Sequence, residues 1–175
     1  MRRFRIIAKA VLICSLCVVI CGIIGYFAIL NIFPFPYDSI NNIHYSKSVY
    51  DKDRNMLRSF TGEKDLWLMP VGLDEINPDF VKATLAIEDK RFFKHPGIDI
   101  GAVIRAIKLN IANRRIISGA STVSMQVIRI LEGRDRTMLN KIVEAVHAVH
   151  LDSLYTKEEI LKLYFEIAPY GLAGG

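Results

Sequence analysis

The segment 86–99, AIEDKRFFKHPGID, holds the first residues whose types suit acid–base chemistry. Glu88 follows an apolar run with helical spacing, which predicts that it stands at the C-terminal end of a helix. The helix dipole disfavours an anion at that end, so a carboxylate placed there is suited to taking up a proton. The alternative is a plain ion pair between Glu88 and Lys90 or Arg91, which is a common surface arrangement.

The residues after Glu88 predict a tight turn. Proline disfavours helical geometry in the residue before it, so the KHPG stretch at 94–97 is expected to break the helix. Asp99 is then suited to cap the next helix. The side chains of Phe92 and Phe93 could exclude water from the carboxylate of Glu88, which would give this acid a defined environment.

A second candidate carboxylate, Glu144, falls on a predicted helix over residues 136–154. By itself it is typical of a solvated helix face. The neighbouring elements, however, carry cations, hydroxyls and an amide suited to binding anionic oxygens: Arg129, Arg136, Lys141, Ser121, Thr122 and Gln126. Two carboxylates on separate helices with a cationic cluster suit glycosyl transfer in which a phosphate group leaves and one acid acts as base on the attacking hydroxyl.

The charge of the chain points away from nucleic acid. The 175 residues carry a formal net charge of +5, but four of the basic residues lie within residues 1–9, and the remainder is close to neutral. A nucleic-acid-binding domain usually shows a stronger basic excess, so no nucleic-acid partner is expected. The length is sufficient for one domain with a hydrophobic core.

A membrane anchor is predicted near the N-terminus. Residues 10–30 contain no charged side chain, and four basic residues precede them. This pattern favours an uncleaved single-pass anchor in the plasma (inner) membrane, with a cytoplasmic N-terminus and an extracytoplasmic, periplasmic domain. A cleaved signal peptide is the alternative, but the apolar run is longer than a usual signal core and no A-x-A site follows it.

The remaining pattern predicts a mainly α-helical domain. A possible β-hairpin around residues 49–57 precedes five helices, the second of which has an apolar stripe from Ile100 to Ile111. Thr156 and Glu159 predict a capping box for the last helix. The predicted domains are a basic tail (1–9), a transmembrane helix (10–30), a linker with the possible hairpin (31–70) and a helical domain (71–175).

Four motifs, taken together, resemble the transglycosylase domain of class A penicillin-binding proteins, the peptidoglycan glycosyltransferases of glycosyltransferase family 51. These motifs are EDKRFFKHPGID, GASTVSMQVIR, RTMLNKIVE and YTKEEILKLYFEIAPYG. The lead-in segment and the SMQ and APYG forms are most similar to the 1C branch. The resemblance covers residues from about 45 to the end, and it implies a lysozyme-like helical fold.

The resemblance also implies roles for individual residues. Glu88 would be the general base that deprotonates the 4-hydroxyl of the acceptor, lipid II. Glu144 would help the undecaprenyl pyrophosphate of the growing glycan to leave, directly or through a divalent metal, Mg²⁺ or Mn²⁺. Substrate, largely its pyrophosphate, would be bound by Ser121, Thr122, Gln126, Arg129, Arg136 and Lys141. The acceptor pocket would be shaped by Asp89, Arg91, Phe92, His95 and Gly97.

The chain departs from the family pattern at two positions and at its end. Asn140 stands where the family usually has arginine, and Glu166 where it usually has asparagine, so a cation is lost and an anion is expected near the leaving group. The chain stops before the fifth motif and before any transpeptidase domain. The expectation is therefore a C-terminally truncated domain that polymerises lipid II poorly.

That expectation rests on packing, because missing helices would leave six apolar residues without part of their partners: Val143, Val146, Val149, Ile160, Leu161 and Leu163. Two further interpretations stay open at this point. One is an inactive remnant that binds lipid II or other cell-wall synthesis proteins. The other is a lysozyme-like glycosidase, although the cationic cluster and the anchor are features that a soluble hydrolase does not need.

Overall fold

The computed structural model describes residues 2–61, 68–116 and 119–169. The chain divides into two compact units, residues 1–35 and residues 36–175. The first unit contains one long helix, α1 (Arg2–Ile32). Its stretch Lys9–Ile32 has a mean hydropathy of 2.7 over 24 residues, and it is long and apolar enough to cross a bilayer.

The second unit opens with a short helix and a two-stranded sheet. Helix α2 (Tyr37–Asn41) precedes strands β1 (Ser48–Tyr50) and β2 (Met56–Ser59), which pair antiparallel. The Asp51 carboxylate accepts hydrogen bonds from the backbone of Asp53 and of Asn55, each at 2.8 Å, and so closes the turn between the strands. The predicted hairpin is confirmed.

Five further helices follow, and a short polar side chain caps each of them. They are α3 (Pro78–Glu88), α4 (Ile100–Asn113), α5 (Val123–Glu132), α6 (Met138–Leu154) and α7 (Lys157–Ile167). The capping residues are Asn77, Asp99, Thr122, Thr137 and Thr156, the last with Glu159 in the predicted capping box. A 3₁₀ turn (Phe92–Lys94) lies between α3 and α4. The mainly α-helical fold class is confirmed.

The core lies where α5 packs against α6 and α7. Six apolar residues of α6 and α7 were expected to lack part of their packing partners, and for four of them this expectation was wrong. Val143, Ile160, Leu161 and Leu163 are buried, and Val146 and Val149 are half-buried. Helix α5 packs against both α6 and α7, and its residues Val127 and Ile128 are fully buried.

Helix α4 shows the opposite outcome. Its stripe of isoleucines has the spacing of a core-facing helix, yet Ile100 is 69% exposed, Ile107 51% and Ile111 72%. Among its residues only Ala106 is buried. Apolar periodicity therefore identifies α4 as a helix correctly and predicts its burial wrongly.

Candidate active site

Glu88 is the last residue of α3, and its side chain reaches solvent. The amide nitrogen Nε2 of Gln126, on α5, donates a hydrogen bond of 2.7 Å to its Oε2. Arg91, which the sequence allowed as an ion-pair partner, pairs with Asp99 instead. Glu88 is therefore an accessible carboxylate whose direction is fixed by a neutral donor.

The neighbouring carboxylate has a different, structural role. Asp89 is buried and accepts hydrogen bonds from Nε2 of His95 at 2.9 and 3.0 Å and from the backbone N–H of Val123 at 3.1 Å. Since Val123 begins α5, Asp89 also places an anion at the positive end of that helix. These bonds join the end of α3 to the start of α5, and so set the position of Glu88.

The turn after Glu88 is held by an ion pair. The Arg91 guanidinium contacts both carboxylate oxygens of Asp99, with Nε 2.7 Å from Oδ2. Asp99 in turn accepts from the backbone N–H of Ala102 at 2.8 Å and caps α4. The hydrogen bond from Arg91 lowers the pKa of Asp99, so this pair stays ionised and fixes α4 beside the turn.

Gly97 allows the turn to approach α6. Its φ is +81°, and a Cβ atom built on it would collide with the backbone of Ala148 and Val149. The hydroxyl of Thr122 donates to its carbonyl at 2.5 Å. A glycine is therefore needed here for both conformation and space.

Lys157, in the first turn of α7, was not identified from the sequence. Its Nζ donates to the carbonyl of His95 at 2.7 Å, lies 2.5 Å from Oδ1 of Asp152, and stands 4.5 Å from the ring centre of the buried Phe92. A cation in the first turn of a helix is electrostatically unfavourable, and that is the signal which could have found it. Lys157 joins the turn to α6 and α7.

A cavity of about 710 Å³ opens beside Glu88. Its lining includes Asp89, Arg91, Ser121 and Thr122, as the resemblance implies, and also the unpredicted Arg105. Phe92, His95 and Gly97, which the resemblance assigned to the acceptor pocket, are not among its lining residues; they lie in the turn between α3 and α4. The lining also carries four cations and one accessible acid, namely Lys90, Arg91, Lys94, Arg105 and Glu88. The cavity is therefore suited to an anionic molecule that also carries a hydroxyl group.

A second cavity, of about 540 Å³, contains Glu144. It brings together four residues that the sequence predicted to act on one substrate group, namely Arg129, Arg136, Lys141 and Glu144. Burial raises the pKa of Glu144, and the negative charge of Glu132 raises it further, although the cations Arg129, Lys141 and Arg136 act in the opposite direction. The cavity therefore offers cations for an anion and a carboxyl group that readily holds a proton.

Ser121 lines both cavities. It immediately precedes Thr122, the cap of α5, so the start of that helix forms the wall between them. Tyr164 of α7, also missed from the sequence, lies near both sites, since burial and the charge of Glu88 raise its pKa while Arg129 lowers it. The two carboxylates thus face adjacent parts of one extended site.

The two departures from the family pattern have local partners. The carboxylate of Glu166 accepts from the Tyr45 hydroxyl at 3.0 Å and from the Val71 backbone at 3.4 Å, and it lines neither cavity. Burial and this hydrogen bond raise the pKa of Tyr45 to about 12. Asn140 donates from Nδ2 to the Asp135 carbonyl at 2.9 Å. Glu166 therefore joins the segment before α3 to α7, and it does not lie with the cations that line the Glu144 cavity.

The donor set around Glu144 does not fit a divalent metal held by the protein alone. Among the described residues, no three His, Cys, Asp or Glu side chains are grouped as a metal would require. Instead, three cations surround Glu144. Mg²⁺ and Mn²⁺ prefer several oxygen ligands, and neighbouring cations would repel them.

Enzymes that act on glycosidic bonds use a pair of carboxyl groups, and this domain presents two, Glu88 and Glu144, at adjacent cavities. Residues 53–174 match the family described as Transglycosylase. The chain therefore belongs to this family, the peptidoglycan glycosyltransferases of class A penicillin-binding proteins.

Three relatives show the extent of the similarity. Penicillin-binding protein 1C of Escherichia coli (strain K12) is 34% identical over 141 residues, which are 81% of this chain and 18% of that protein. Penicillin-binding protein 1A of the same organism is 38% identical over 117 residues, 66% of this chain and 13% of that protein. Penicillin-binding protein 1F of Bacillus subtilis (strain 168) is 31% identical over 153 residues, 86% of this chain and 21% of that protein. The chain thus spans about a fifth or less of the length of these relatives.

Proposed function

We propose that this chain polymerises lipid II into glycan strands and releases undecaprenyl pyrophosphate. The observation that carries the proposal is the pair of adjacent cavities, one with an accessible acid and the other with a buried acid among cations, joined at Ser121. Such a pair matches a reaction in which a hydroxyl loses a proton on one side while a pyrophosphate leaves on the other.

On the acceptor side, Glu88 acts as the general base. Gln126 holds its Oε2, and among the described residues Oε1 has no hydrogen-bond partner, so Oε1 is available for the proton of the acceptor 4-hydroxyl. The deprotonated oxygen attacks the anomeric carbon of the donor, and the bond from that carbon to the pyrophosphate breaks. The buried bonds of Asp89 keep Glu88 in place during this step.

On the donor side, Arg129, Arg136 and Lys141 bind the pyrophosphate and stabilise the charge that develops as it leaves. Glu144 donates a proton to the departing oxygen, a role that its raised pKa supports. The proton that Glu88 gains from the acceptor and the proton that Glu144 loses to the leaving group balance over the reaction.

The apolar helix α1 indicates where in the cell the domain acts. We place it across the plasma membrane with the helical domain outside, where lipid-linked substrates can reach both cavities. A reporter enzyme that is active only after export should be active when fused after Gly175, and a reporter that is active only in the cytoplasm should not. Activity of a cytoplasm-dependent reporter at that site would reverse the orientation.

The decisive experiment is polymerisation of labelled lipid II by the full chain in detergent. Wild type and Glu158→Gln, a control at an exposed acid of α7, should form glycan strands, whereas Glu88→Gln should not. Binding of lipid II without product would favour the non-catalytic interpretation. Cleavage of preformed glycan with no polymerisation would favour a glycosidase.

A further inference from the structure

Three cations in the cavity beside Glu88 have no role in the chemistry described so far. Lys90 follows the C-terminal end of α3, Lys94 ends the 3₁₀ turn, and Arg105 lies on α4. All three side chains are exposed. Among the described residues, no carboxylate lies within ion-pair distance of any of the three. Their charges are therefore available to a ligand.

The acids that line the same cavity do not neutralise these cations. Asp99 is paired with Arg91, whose Nε lies 2.7 Å from its Oδ2. Asp89 is buried and bonded to Nε2 of His95 at 2.9 Å. Glu88 alone carries a negative charge that no cation of the described chain pairs with. Three unpaired positive charges thus face one negative charge across this cavity.

The fold fixes the elements that carry Lys94 and Arg105. The backbone N–H of Lys94 donates to the carbonyl of Arg91 at 2.7 Å, which closes the 3₁₀ turn. Asp99 bonds both to Arg91 and to the backbone N–H of Ala102, so the first turn of α4 is held beside that turn. Arg105 lies three residues after Ala102 on the same helix face, and both line the cavity. The two cations therefore reach one cavity from two elements.

The space between the cations is lined by small residues. They lie on α4 and in the segment before α5: Gly101, Ala102, Gly119, Ala120 and Ser121. Short side chains leave the volume of about 710 Å³ open to a ligand. A concave surface with an excess of one charge concentrates its electrostatic potential, and guanidinium and ammonium groups form strong charge-assisted hydrogen bonds to phosphate oxygens. The cavity is thus suited to a phosphate group.

An exposed apolar surface adjoins the cations on the same helix. Ile100, Ile104, Ile107 and Ile111, here called the isoleucine stripe, are 69%, 50%, 51% and 72% exposed. Their spacing places them along one face of α4, and Arg105 directly follows Ile104 on the adjacent face. A ligand that joins an anionic group to an apolar chain matches both surfaces.

We propose that Lys90, Lys94 and Arg105 bind the pyrophosphate of the acceptor, lipid II, and that the isoleucine stripe contacts the prenyl chain attached to it. This inference rests on the proposed function, which places the acceptor 4-hydroxyl at Glu88. The acceptor's pyrophosphate does not react, so binding it orients the hydroxyl at the base. The domain then has two pyrophosphate sites, one for the acceptor and one, at Glu144, for the leaving group.

A lipid II acceptor also carries carboxylates on its peptide, which are a second source of anionic oxygens. The isoleucine stripe favours the pyrophosphate, because the prenyl chain is attached to that group and not to the peptide. The experiment therefore includes ligands that separate the two sources.

The test is titration calorimetry with farnesyl pyrophosphate on the full chain in detergent micelles. The background variant is Arg129→Ala combined with Lys141→Ala, which weakens the leaving-group site. In this background Lys94→Gln and Arg105→Gln should each raise the dissociation constant about tenfold, since each removes a charge-assisted hydrogen bond. Lys90 is left unchanged because it lies only two residues from the base.

The control is Lys108→Gln, at an exposed lysine of α4 that lines neither cavity. It should leave the dissociation constant unchanged. Equal affinity with and without Lys94 and Arg105 would overturn the proposal, and so would the absence of measurable binding in the background variant.

Two further ligands identify the parts of the acceptor that bind. The disaccharide–peptide of lipid II without its pyrophosphate should bind equally with and without Lys94→Gln and Arg105→Gln. If its affinity falls instead, the cations bind peptide carboxylates and the assignment to pyrophosphate is wrong. Ile107→Gln should weaken farnesyl pyrophosphate and leave inorganic pyrophosphate unaffected, whereas equal affinities of Ile107→Gln and its parent for farnesyl pyrophosphate would exclude the stripe.

The activity readout is the dependence of polymerisation on lipid II concentration. Arg105→Gln should raise KM for lipid II more than it lowers kcat, because the group it binds does not change in the transition state. A lower kcat at unchanged KM would contradict the proposal. Failure of wild type to polymerise lipid II would refute the proposed function, while the calorimetry would still decide whether these cations bind pyrophosphate.

Discussion

The two carboxylates of the site are held in opposite ways. Glu88 reaches solvent at a helix end and takes its direction from one neutral donor, Gln126. Glu144 is buried on a helix side, and the residues around it act through charge. The difference fits the two proposed roles, since Glu88 has the access and direction that a base needs, and Glu144 has surroundings that raise its pKa, as a proton donor needs.

The surroundings of the two acids differ as well. The Glu88 side is supported by a network of hydrogen bonds and ion pairs through Asp89, Asp99 and Lys157. The Glu144 side is supported by the packing of α5 on α6, with the Glu132–His147 pair inside it. Substitutions at the two acids should therefore affect activity, stability and pH dependence differently.

The largest expected effect is on the base. Glu88→Gln keeps the size of the side chain and removes its ability to take a proton, so the polymerisation rate should fall by roughly 10²–10⁴-fold. Because Glu88 is exposed, the melting temperature should hardly change. Lipid II polymerisation and thermal unfolding measured on the same preparation test both statements. A large loss of stability would mean that the rate reports folding.

The next effect concerns the cations around Glu144. Arg129→Ala and Lys141→Ala should each weaken binding of a prenyl pyrophosphate by roughly 1–3 kcal/mol, since each removes a charge-assisted hydrogen bond to phosphate. Lys82→Ala, at an exposed lysine of α3 that pairs with Asp79, is the matched control. Titration calorimetry in detergent measures all three. If all three variants bind as tightly as wild type, Arg129 and Lys141 do not bind the pyrophosphate and only form a solvated helix face.

A smaller effect should appear in stability rather than activity. The folded-state pKa of Glu144 is raised, so its protonated form favours folding. This contribution is fully present below the unfolded-state pKa and is lost as pH rises through the folded-state value. Glu144→Gln should therefore lose activity yet unfold at a higher temperature than wild type at neutral pH. A melting temperature below wild type at that pH would contradict the buried-acid account.

The smallest effects are expected where the chain departs from its family. Asn140→Arg adds a cation next to Lys141 and should strengthen prenyl pyrophosphate binding by about 0.5 kcal/mol. Glu166→Asn should leave that binding unchanged and lower stability, because Glu166 accepts hydrogen bonds from Tyr45 and Val71. Stronger pyrophosphate binding by Glu166→Asn would mean that Glu166 lies close enough to repel the pyrophosphate, as the sequence pattern had predicted.

Local chemistry explains which parts of the fold were predictable. The caps at Asn77, Asp99 and Thr156 bond to backbone groups two or three residues away, so their residue types mark helix starts without any tertiary contact. Helix α6 begins at Met138 and not at the predicted Arg136, because the hydroxyl of Thr137 caps it. Such boundaries depend on single hydrogen bonds, which a pattern of apolar residues does not show.

Burial was not predictable in the same way. Helices α4 and α5 both carry apolar periodicity, but α5 is enclosed by α6 and α7, while the isoleucines of α4 stay exposed. Periodicity reports that a helix has an apolar face, and what covers that face depends on distant parts of the chain. For the same reason, four of the six apolar residues of α6 and α7, now seen to be buried, were wrongly expected to lack part of their packing partners.

The sequence by itself determined the helical class, the helix caps, the apolar helix α1 and the two acids, because each of these depends on residue type and short-range spacing. Only the tertiary structure decided that Ser121 lies between two cavities, that Glu166 bonds to Tyr45, and that Glu132 pairs with His147. These relations join residues up to 121 positions apart. A carboxylate acquires its raised or lowered pKa from such neighbours and from its burial, and both are products of folding.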